Sequence, residues 1–214
     1  MKSIYFLLIL IIYFFSCGNS NTKNKPLTEN SSSKADSCDG PDSDIGCCFL
    51  NMPSEINNIM NVAGSSEPGE RIVIRGQILD EEGNAPYPGI IIYAYHTDNG
   101  GNYSKKGNET GFQKWHGYLH GWCMTGADGK YEIHTIKPGR YPSNDAPAHI
   151  HWAIKEPSGY MTYLNDFVFS DDSLVNKEYL SYLRLPGDDG VITLKENGSG
   201  ILEGNRITKI KTQR

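Results

Sequence analysis

The sequence predicts an all-β fold, an antiparallel β-sandwich with one short helix and long loops. Glycine and proline contribute 23 and 11 of the 214 residues, so turns recur at short intervals. Several short segments alternate apolar and polar side chains, which is the period of a β-strand. No helical segments alternate with these strands, and this pattern favours a sandwich over a parallel sheet covered by helices.

The strands are predicted in order from residue 71. Ile72 and Ile74 share one face of the first strand, and a turn then leads to a more buried strand at residues 90–95. Asp128-Gly129 is a hairpin signal at the start of the next strand. The remaining strands are predicted at residues 131–136, 149–155 and 161–169, with short β-segments near 191–194 and 207–210.

Two segments depart from the strand pattern. Residues 172–183 carry apolar side chains at helical spacing and are predicted to form a packing helix. Residues 96–125 lack a period and are rich in glycine, aromatic residues and histidine, which indicates a functional insertion. His116 and His120 within it are four residues apart, but the flanking glycines favour a packed loop or pocket wall over a metal-binding helix.

The composition is that of a folded, acidic domain. Hydrophobic residues make up 38% of the chain and charged residues 21%, with a net charge of −5. An acidic chain without a basic run binds phosphate backbones poorly. Nucleic acid is therefore excluded from the predicted partners.

Residues 1–17 are predicted to be a lipoprotein-like signal peptide. Lys2 precedes an unbroken apolar run that ends at Phe15 and is shorter than the roughly 20 residues of a membrane span. A small residue then precedes Cys17, which would become the lipidated first residue; Phe14 departs from this pattern, and an ordinary cleaved signal is the alternative. Either way the mature protein is predicted to be extracytoplasmic, in the cell envelope through a lipid anchor or, alternatively, secreted.

Three further segments follow the signal. Residues 18–37 contain one leucine and no aromatic residue, so they are predicted to be a flexible tether. Residues 38–70 form a cysteine-containing N-terminal segment, and residues 71–214 are predicted to be the sandwich domain.

The cysteines predict two disulfides. Without Cys17 the chain keeps Cys38, Cys47, Cys48 and Cys123, an even number in an oxidising compartment. Because adjacent cysteines pair with strain, we expect Cys38 to bond to one of Cys47 and Cys48, and the other to bond to Cys123. A thiolate metal site is disfavoured, since the spacing is not that of a zinc module.

The clearest chemical motif is Pro147-Ala148-His149-Ile150-His151. Side chains two apart on a strand point to the same face, so His149 and His151 can reach one ion while Ile150 faces the core. A His-x-His pair alone is a weak signal.

It is the last of four motifs that occur in a fixed order. They are Gly101-Asn102-Tyr103, the segment 125–131 around Asp128-Gly129, the Ile-Lys-Pro-Gly-Arg-Tyr-Pro segment 136–142, and 147–151. In this order the chain resembles the intradiol ring-cleavage dioxygenases, the family of catechol and protocatechuate dioxygenases. The resemblance covers roughly residues 71–172 and implies a transthyretin-like sandwich.

The resemblance implies a non-haem Fe(III) centre held by Tyr103, Tyr141, His149 and His151. The residue types suit that ion, because two phenols with an ordinary pKa near 10 ionise at neutral pH only beside a strong Lewis acid. Hard anionic oxygen donors also favour Fe(III) over zinc.

The resemblance further implies the activity. An aromatic diol would bind the iron, react with O2 and open between its hydroxylated carbons to a muconate-type diacid. Tyr141 is the ligand that the diol would displace, and its phenolate would accept a proton.

Two positions depart from the family pattern. Ala146 stands where the family carries an arginine, and Arg140 is the substitute that we predict to be catalytic. Asp166 falls where members often have glutamine. A non-catalytic ligand-binding lipoprotein with a vestigial metal site is therefore the alternative function, and a structural envelope lipoprotein without metal is a third.

Overall fold

Two β-sheets form a sandwich in the computed structural model, which describes Cys38, Gly40 and residues 44–211. The described residues all lie within one compact unit, Ser31–Arg214. The predicted signal peptide with Cys17 and the predicted tether at residues 18–37 lie outside the described residues. Across the described residues, no helix has the length and apolar character needed to span a membrane.

Strands dominate the described part of the chain. Its helical elements are a 3-10 turn at Ile45–Phe49 and two short helices, α1 at Gln113–His116 and α2 at Lys177–Ser181. The strands in chain order are β1 (Ile59–Asn61), β2 (Arg71–Asp80), β3 (Ile91–His96), β4 (His120–Met124), β5 (Lys130–Ile136), β6 (His149–Lys155), β7 (Met161–Tyr163), β8 (Phe167–Phe169), β9 (Val191–Ile192), β10 (Lys195–Glu196) and β11 (Leu202–Ile210).

The strands form a five-stranded and a six-stranded sheet. The first has the order β1-β5-β2-β11-β10, and the second has the order β4-β3-β6-β8-β9 with β7 paired to β6. The predicted sandwich is confirmed, but the sheets are mixed rather than purely antiparallel. The pairs β1–β5, β2–β11 and β8–β9 run parallel. Long connections rather than hairpins join these partners, so nothing forces them to run in opposite directions.

The main core lies between the two sheets. The alternation predicted for β2 places Ile72 and Ile74 inside, with at most 1% of each side chain exposed. On β6, Ile150 and Trp152 are fully buried in the same core. Because neighbouring side chains on a strand face opposite ways, β6 presents its two histidines on the outer face of the six-stranded sheet.

Several element boundaries differ from the prediction. The single strand predicted at residues 161–169 is split into β7 and β8, because Asn165 turns away to hydrogen-bond the carbonyls of Leu185 and Asp188. The predicted helix 172–183 shrinks to α2, which begins after Asn176; the Asn176 side chain accepts hydrogen bonds from the first-turn amides. Strand β4 lies in the segment that showed no period.

The structure corrects one of the two predicted disulfides. Cys38 is bonded to Cys47, as one of the predicted alternatives required, but Cys48 and Cys123 are free and buried. Cys123 belongs to the main core between the sheets, whereas Cys48 packs with Tyr93 in a second cluster on the outer face. The six-stranded sheet therefore separates the two thiols. Burial raises the pKa of Cys48 to about 11, so it stays a thiol at neutral pH.

Candidate metal centre

The candidate centre lies on the outer face of the six-stranded sheet, where β6 presents His149 and His151. Strand β3 pairs with β6 so that Tyr95 lies opposite His151, and the two rings stack with centroids 4.8 Å apart. The histidine side chains are thus fixed by a regular strand and by an aromatic neighbour. This part of the site follows directly from the predicted strand.

The two tyrosines come from two loops that touch through glycine. Tyr103 lies in the loop after β3 and Tyr141 in the loop after β5. Gly101 has a φ of +82°, and a Cβ atom there would lie 1.8 Å from the carbonyl oxygen of Arg140. A Cβ atom on Gly139 would lie 2.6 Å from the carbonyl oxygen of Asn99. The two backbones approach this closely only because both positions lack a side chain.

The four predicted ligand atoms converge. The phenol oxygens of Tyr103 and Tyr141 are 2.7 Å apart. The Tyr141 oxygen lies 3.1 Å from Nε2 of His149 and 3.2 Å from Nε2 of His151, and these two nitrogens are 3.0 Å apart. Atoms that each lie about 2 Å from one ion are separated by about 2.8–3.3 Å. The donors of Tyr141, His149 and His151 are therefore mutually spaced as around a single metal ion, and the Tyr103 oxygen adjoins that of Tyr141.

Hydrogen bonds on the far side of each imidazole determine which ring nitrogen carries the proton. Nδ1 of His149 donates to the carbonyl oxygen of Pro147 at 2.6 Å, and Nδ1 of His151 donates to Oδ1 of Asp166 at 3.0 Å. Each Nε2 atom is consequently left with its lone pair facing the two phenols. Two lone pairs 3.0 Å apart cannot hydrogen-bond to each other, whereas a cation between them satisfies both.

The pKa shifts of the donor side chains also favour a strongly charged ion. Burial raises the pKa of both Tyr103 and Tyr141, and the neighbouring Tyr141 adds to the effect on Tyr103. Burial and then the charge of His151 lower the pKa of His149, which keeps that imidazole neutral. Without a cation the two phenols keep their protons; a bound metal ion would draw these protons off, because coordination favours the anion. Neutral imidazole and phenolate together suit a ferric ion.

Asp166, which stands where members of the family often have glutamine, contacts His151. Its carboxylate faces His151 and orients that ring, and its oxygen lies with the histidine nitrogens in a group of donors within 4.8 Å of one another. A carboxylate that accepts the second N–H of a metal-binding histidine increases the basicity of the ligand. The sequence shows Asp166, but no pattern in it predicts that this carboxylate contacts His151.

We expect Asp166→Asn to weaken metal binding by about 10- to 100-fold, because the amide removes the negative charge behind His151. The affinity for Fe(III) can be measured by competition with a chelator. The matched control is Asp171→Asn, whose carboxylate is exposed and pairs with Lys137. Equal affinities for the two variants would show that Asp166 does not support the centre.

A second aromatic layer backs the ligands. The ring of His116, the last residue of α1, stacks on Tyr95 with centroids 3.6 Å apart, and its Nδ1 lies 2.9 Å from the Tyr93 hydroxyl. Burial lowers the pKa of His116 to about 3, so the imidazole is neutral. His116 thus lies on a short helix, contrary to the prediction, and His120 lies on β4; both are packed side chains. Tyr93 and Tyr95 lie two residues apart on a strand and therefore share a face. This alternation could have predicted the aromatic layer from the sequence.

The guanidinium of Arg140 is held by an acidic partner. Its guanidinium makes a two-pronged ion pair with Asp172, at 2.5 and 2.9 Å, and also donates to Ser173. Asp172 is almost fully buried and also accepts the backbone N–H of Ala148. Burial opposes ionisation of Asp172, but the bonds from Arg140 and the backbone lower its pKa. Through Asp172 these contacts tie Arg140 to the backbone just before His149, and the catalytic role of Arg140 stays a prediction.

The chain matches a family model described as "Dioxygenase" over residues 46–192, more than half its length. Among curated proteins it is similar to the protocatechuate 3,4-dioxygenase beta chain of Burkholderia cepacia, with 36% identity over 101 residues, covering 44% of this chain and 43% of the relative. It is also similar to chlorocatechol 1,2-dioxygenase of Rhodococcus opacus, with 28% identity over 137 residues, covering 56% and 51%. The chain thus spans about half the length of these relatives.

Solved structures show the same fold. The 3-chlorocatechol 1,2-dioxygenase of Rhodococcus opacus 1CP is similar with a TM-score of 0.55 and 18% identity, covering 76% of this chain and 69% of that one. An intradiol ring-cleavage dioxygenase from Tetranychus urticae is similar with a TM-score of 0.54 and 20% identity, covering 76% and 90%.

Proposed function

The chain belongs to the intradiol dioxygenase family, and from that membership we propose that it is a non-haem iron(III) enzyme that cleaves a catechol-type diol with O2 to a muconate-type diacid. The observation that carries the proposal is the convergence of two phenol oxygens and two imidazole nitrogens, with spacings of 2.7–3.2 Å. Family membership and fold support ring-cleavage dioxygenase activity. The iron, the substrate and the product are the proposed parts.

Each ligand has a defined task in this proposal. Tyr103, Tyr141, His149 and His151 would hold the ion. A bound ferric ion supplies Lewis acidity that removes electron density from the diol and prepares its ring for O2. The Tyr141 oxygen lies within hydrogen-bond distance of the Tyr103 phenol, so it can exchange a proton with that group. We assign it as the acceptor of a diol proton.

The surrounding side chains keep one side of the centre dry. Tyr95 is covered by His116, and Phe112, with only 3% of its surface exposed, packs beside His116. A water-excluded wall strengthens the interaction between the bound diol and the charged centre. Tyr95 also fixes the ring of His151 before the substrate arrives, which lowers the cost of organising the site.

Iron loading and oxygen uptake test the proposal together. The protein loaded with Fe(III) should absorb visible light, because tyrosinate bound to ferric iron is coloured, and it should consume about one O2 per catechol. Tyr103→Phe should weaken the band and the oxygen uptake. Tyr160→Phe, which alters an exposed ring on the β6–β7 turn, should change neither. An iron-loaded protein that is colourless and inactive would overturn the proposal.

A non-catalytic binding protein with a vestigial site is the second candidate. The observation that favours it is the pairing of Arg140 with Asp172, which leaves Ala146 without a replacement for the family arginine. This protein would bind iron and shift its visible band when a catechol is added, yet consume no O2.

We also propose that the protein works in the cell envelope. The Cys38–Cys47 disulfide supports an oxidising compartment, because such bonds persist mainly outside the cytoplasm. If Cys17 carries the proposed lipid, Cys17→Ala should move the protein from the membrane fraction to the soluble fraction. Cys48→Ala, at a buried thiol, is the control and should leave the fractionation unchanged. A wild-type protein found only in the soluble fraction would contradict the anchor.

A further inference from the structure

Arg206 is a buried cation in the interior of the sandwich. It lies on β11 of the five-stranded sheet, and only 2% of its side chain is exposed. The central carbon of its guanidinium lies 4.7 Å from the centre of the Trp152 ring and 4.5 Å from that of the Phe167 ring. Both rings belong to the six-stranded sheet. The guanidinium therefore reaches across the sandwich to the sheet that carries the candidate metal centre.

The hydrogen bonds of this guanidinium join two segments of the chain. Nη2 of Arg206 donates to the carbonyl oxygen of Asn165 at 2.9 Å, and Nε donates to Oδ1 of Asp188 at 2.8 Å. The indole N–H of Trp152 donates to the same Asn165 carbonyl, also at 2.9 Å. The side-chain amide of Asn165 donates in turn to the backbone carbonyl of Asp188 at 2.8 Å. Arg206, Asn165 and Asp188 are thus connected in a closed ring of contacts.

This ring of contacts holds the backbone of Asp166. The carbonyl of Asn165 and the amide of Asp166 belong to one planar peptide unit, so two hydrogen bonds to that oxygen fix the direction in which Asp166 leaves the core. On the following peptide unit, a Cβ atom at Gly190 would lie 1.8 Å from the carbonyl oxygen of Asp166. The backbone of Asp166 is therefore confined on both sides, and its carboxylate accepts the Nδ1 proton of His151.

Stability alone does not account for an arginine at this position. Among the described residues, Nη1 of Arg206 has no hydrogen-bond partner although it is buried. An unpaired buried donor is costly, and a buried ion pair is often no more stable than apolar side chains of similar volume. An apolar side chain could not hold a carbonyl and a carboxylate in fixed directions, whereas the rigid fork of a guanidinium can.

We infer that Arg206 is a positioning residue of the candidate metal centre. Together with Asp188 it holds the Asn165–Asp166 peptide so that the Asp166 carboxylate faces Nδ1 of His151. Arg206 acts through Asp166 and not on the ion. This inference rests on the proposed function, because it takes His151 to be an iron ligand.

The first test uses the metal-free, full-length chain. Proton NMR follows the Nδ1–H protons of His149 and His151, which are held by Pro147 and Asp166 respectively. Arg206→Met keeps an apolar stem and removes the donors. We expect the His151 proton to exchange with solvent at least about five-fold faster, because its acceptor is no longer held in place. The His149 proton should stay within about two-fold and serves as an internal control.

Two further variants complete this test. Asp188→Asn weakens the ion pair at a partly exposed side chain, so it should speed exchange of the His151 proton in the same direction but less strongly. It decides the test if Arg206→Met does not fold. Arg75→Met removes an exposed guanidinium from β2 and should change neither proton.

The second test separates positioning from general support of the fold. Fe(III) affinity is measured by competition with a chelator in the presence and absence of the Asp166 carboxylate. Arg206→Met alone should lower the affinity by about 3- to 10-fold, less than the loss of the carboxylate itself. In the Asp166→Asn background it should lower the affinity by less than about two-fold, because the group that it positions is already gone.

The outcomes distinguish this inference from the proposed function. Unchanged exchange of the His151 proton in the folded variants overturns the inference, whatever the iron affinity. An equal loss of affinity with and without the Asp166 carboxylate also overturns it. Faster exchange of that proton in a protein whose wild type binds no Fe(III) retains the positioning contacts and overturns the proposed function. Unchanged exchange together with no iron binding overturns both.

Discussion

Replacing His149 or His151 with alanine is expected to abolish metal binding and oxygen uptake. Each substitution removes one of the four converging donors and leaves the two phenols beside a single imidazole. Loss of a direct ligand should cost more than the 10- to 100-fold that loss of a supporting carboxylate costs, so we expect an affinity reduced by more than about 100-fold. Iron content after purification and the intensity of the visible band measure the effect.

Thermal unfolding provides a second measurement that does not require activity. A ligand present at about 1,000 times its Kd stabilises the native state by about 4 kcal/mol, so Fe(III) should raise the Tm of the wild-type protein. The alanine variants should lose this rise. His134→Ala is the matched control, because His134 lies on β5 in the other sheet and pairs with Glu132. An unaltered iron content in either ligand variant would refute the assigned centre.

The second large effect is expected at Gly101. A Cβ atom on Gly101 would lie 1.8 Å from a backbone oxygen of the neighbouring loop, and its φ of +82° is strained for any residue with a side chain. No side-chain movement can relieve a contact with backbone, so Gly101→Ala must push the loops of Tyr103 and Tyr141 apart. We expect unfolding free energy to fall by about 3 kcal/mol or more, together with a weaker visible band.

Gly107 offers a control in the same loop. Its φ is +92°, but a Cβ atom there would have no atom within 4 Å. Gly107→Ala therefore carries only the backbone strain, about 1 kcal/mol, and should leave the band unchanged. If both substitutions had the same effect on stability and on the band, contact between the loops would not be what brings the tyrosines together.

Local patterns were sufficient to predict the strand half of the site. The two-residue period of β6 placed His149 and His151 on one face and Ile150 in the core, as the structure shows. The tyrosines could not be predicted in this way, because Tyr103 and Tyr141 lie in segments without a regular period. Only the resemblance to the family in the order of its motifs identified them as ligands. Their approach depends on backbone contacts between distant loops, which a single sequence does not display.

Tertiary contacts also explain what the sequence did not predict. The role of Asp166 depends on which imidazole its carboxylate faces, and the ion pair of Arg140 depends on Asp172 being folded beside it. Cys48 and Cys123 satisfied the rule that cysteines pair in an oxidising compartment, yet a sheet lies between them. In each case the residue was identified from the sequence, but the side chain that it contacts is determined by tertiary packing.

The parallel ladder between β2 and β11 affects the order in which the molecule can be assembled. All nine residues of β11 pair with β2, from Leu202 opposite Ile72 to Ile210 opposite Asp80. During synthesis one long edge of β2 stays unpaired until β11, more than a hundred residues downstream, has been made. An unpaired apolar edge is prone to self-association. A polypeptide released before residue 202 would keep that edge open, so resistance to aggregation requires that residues 202–210 have been made.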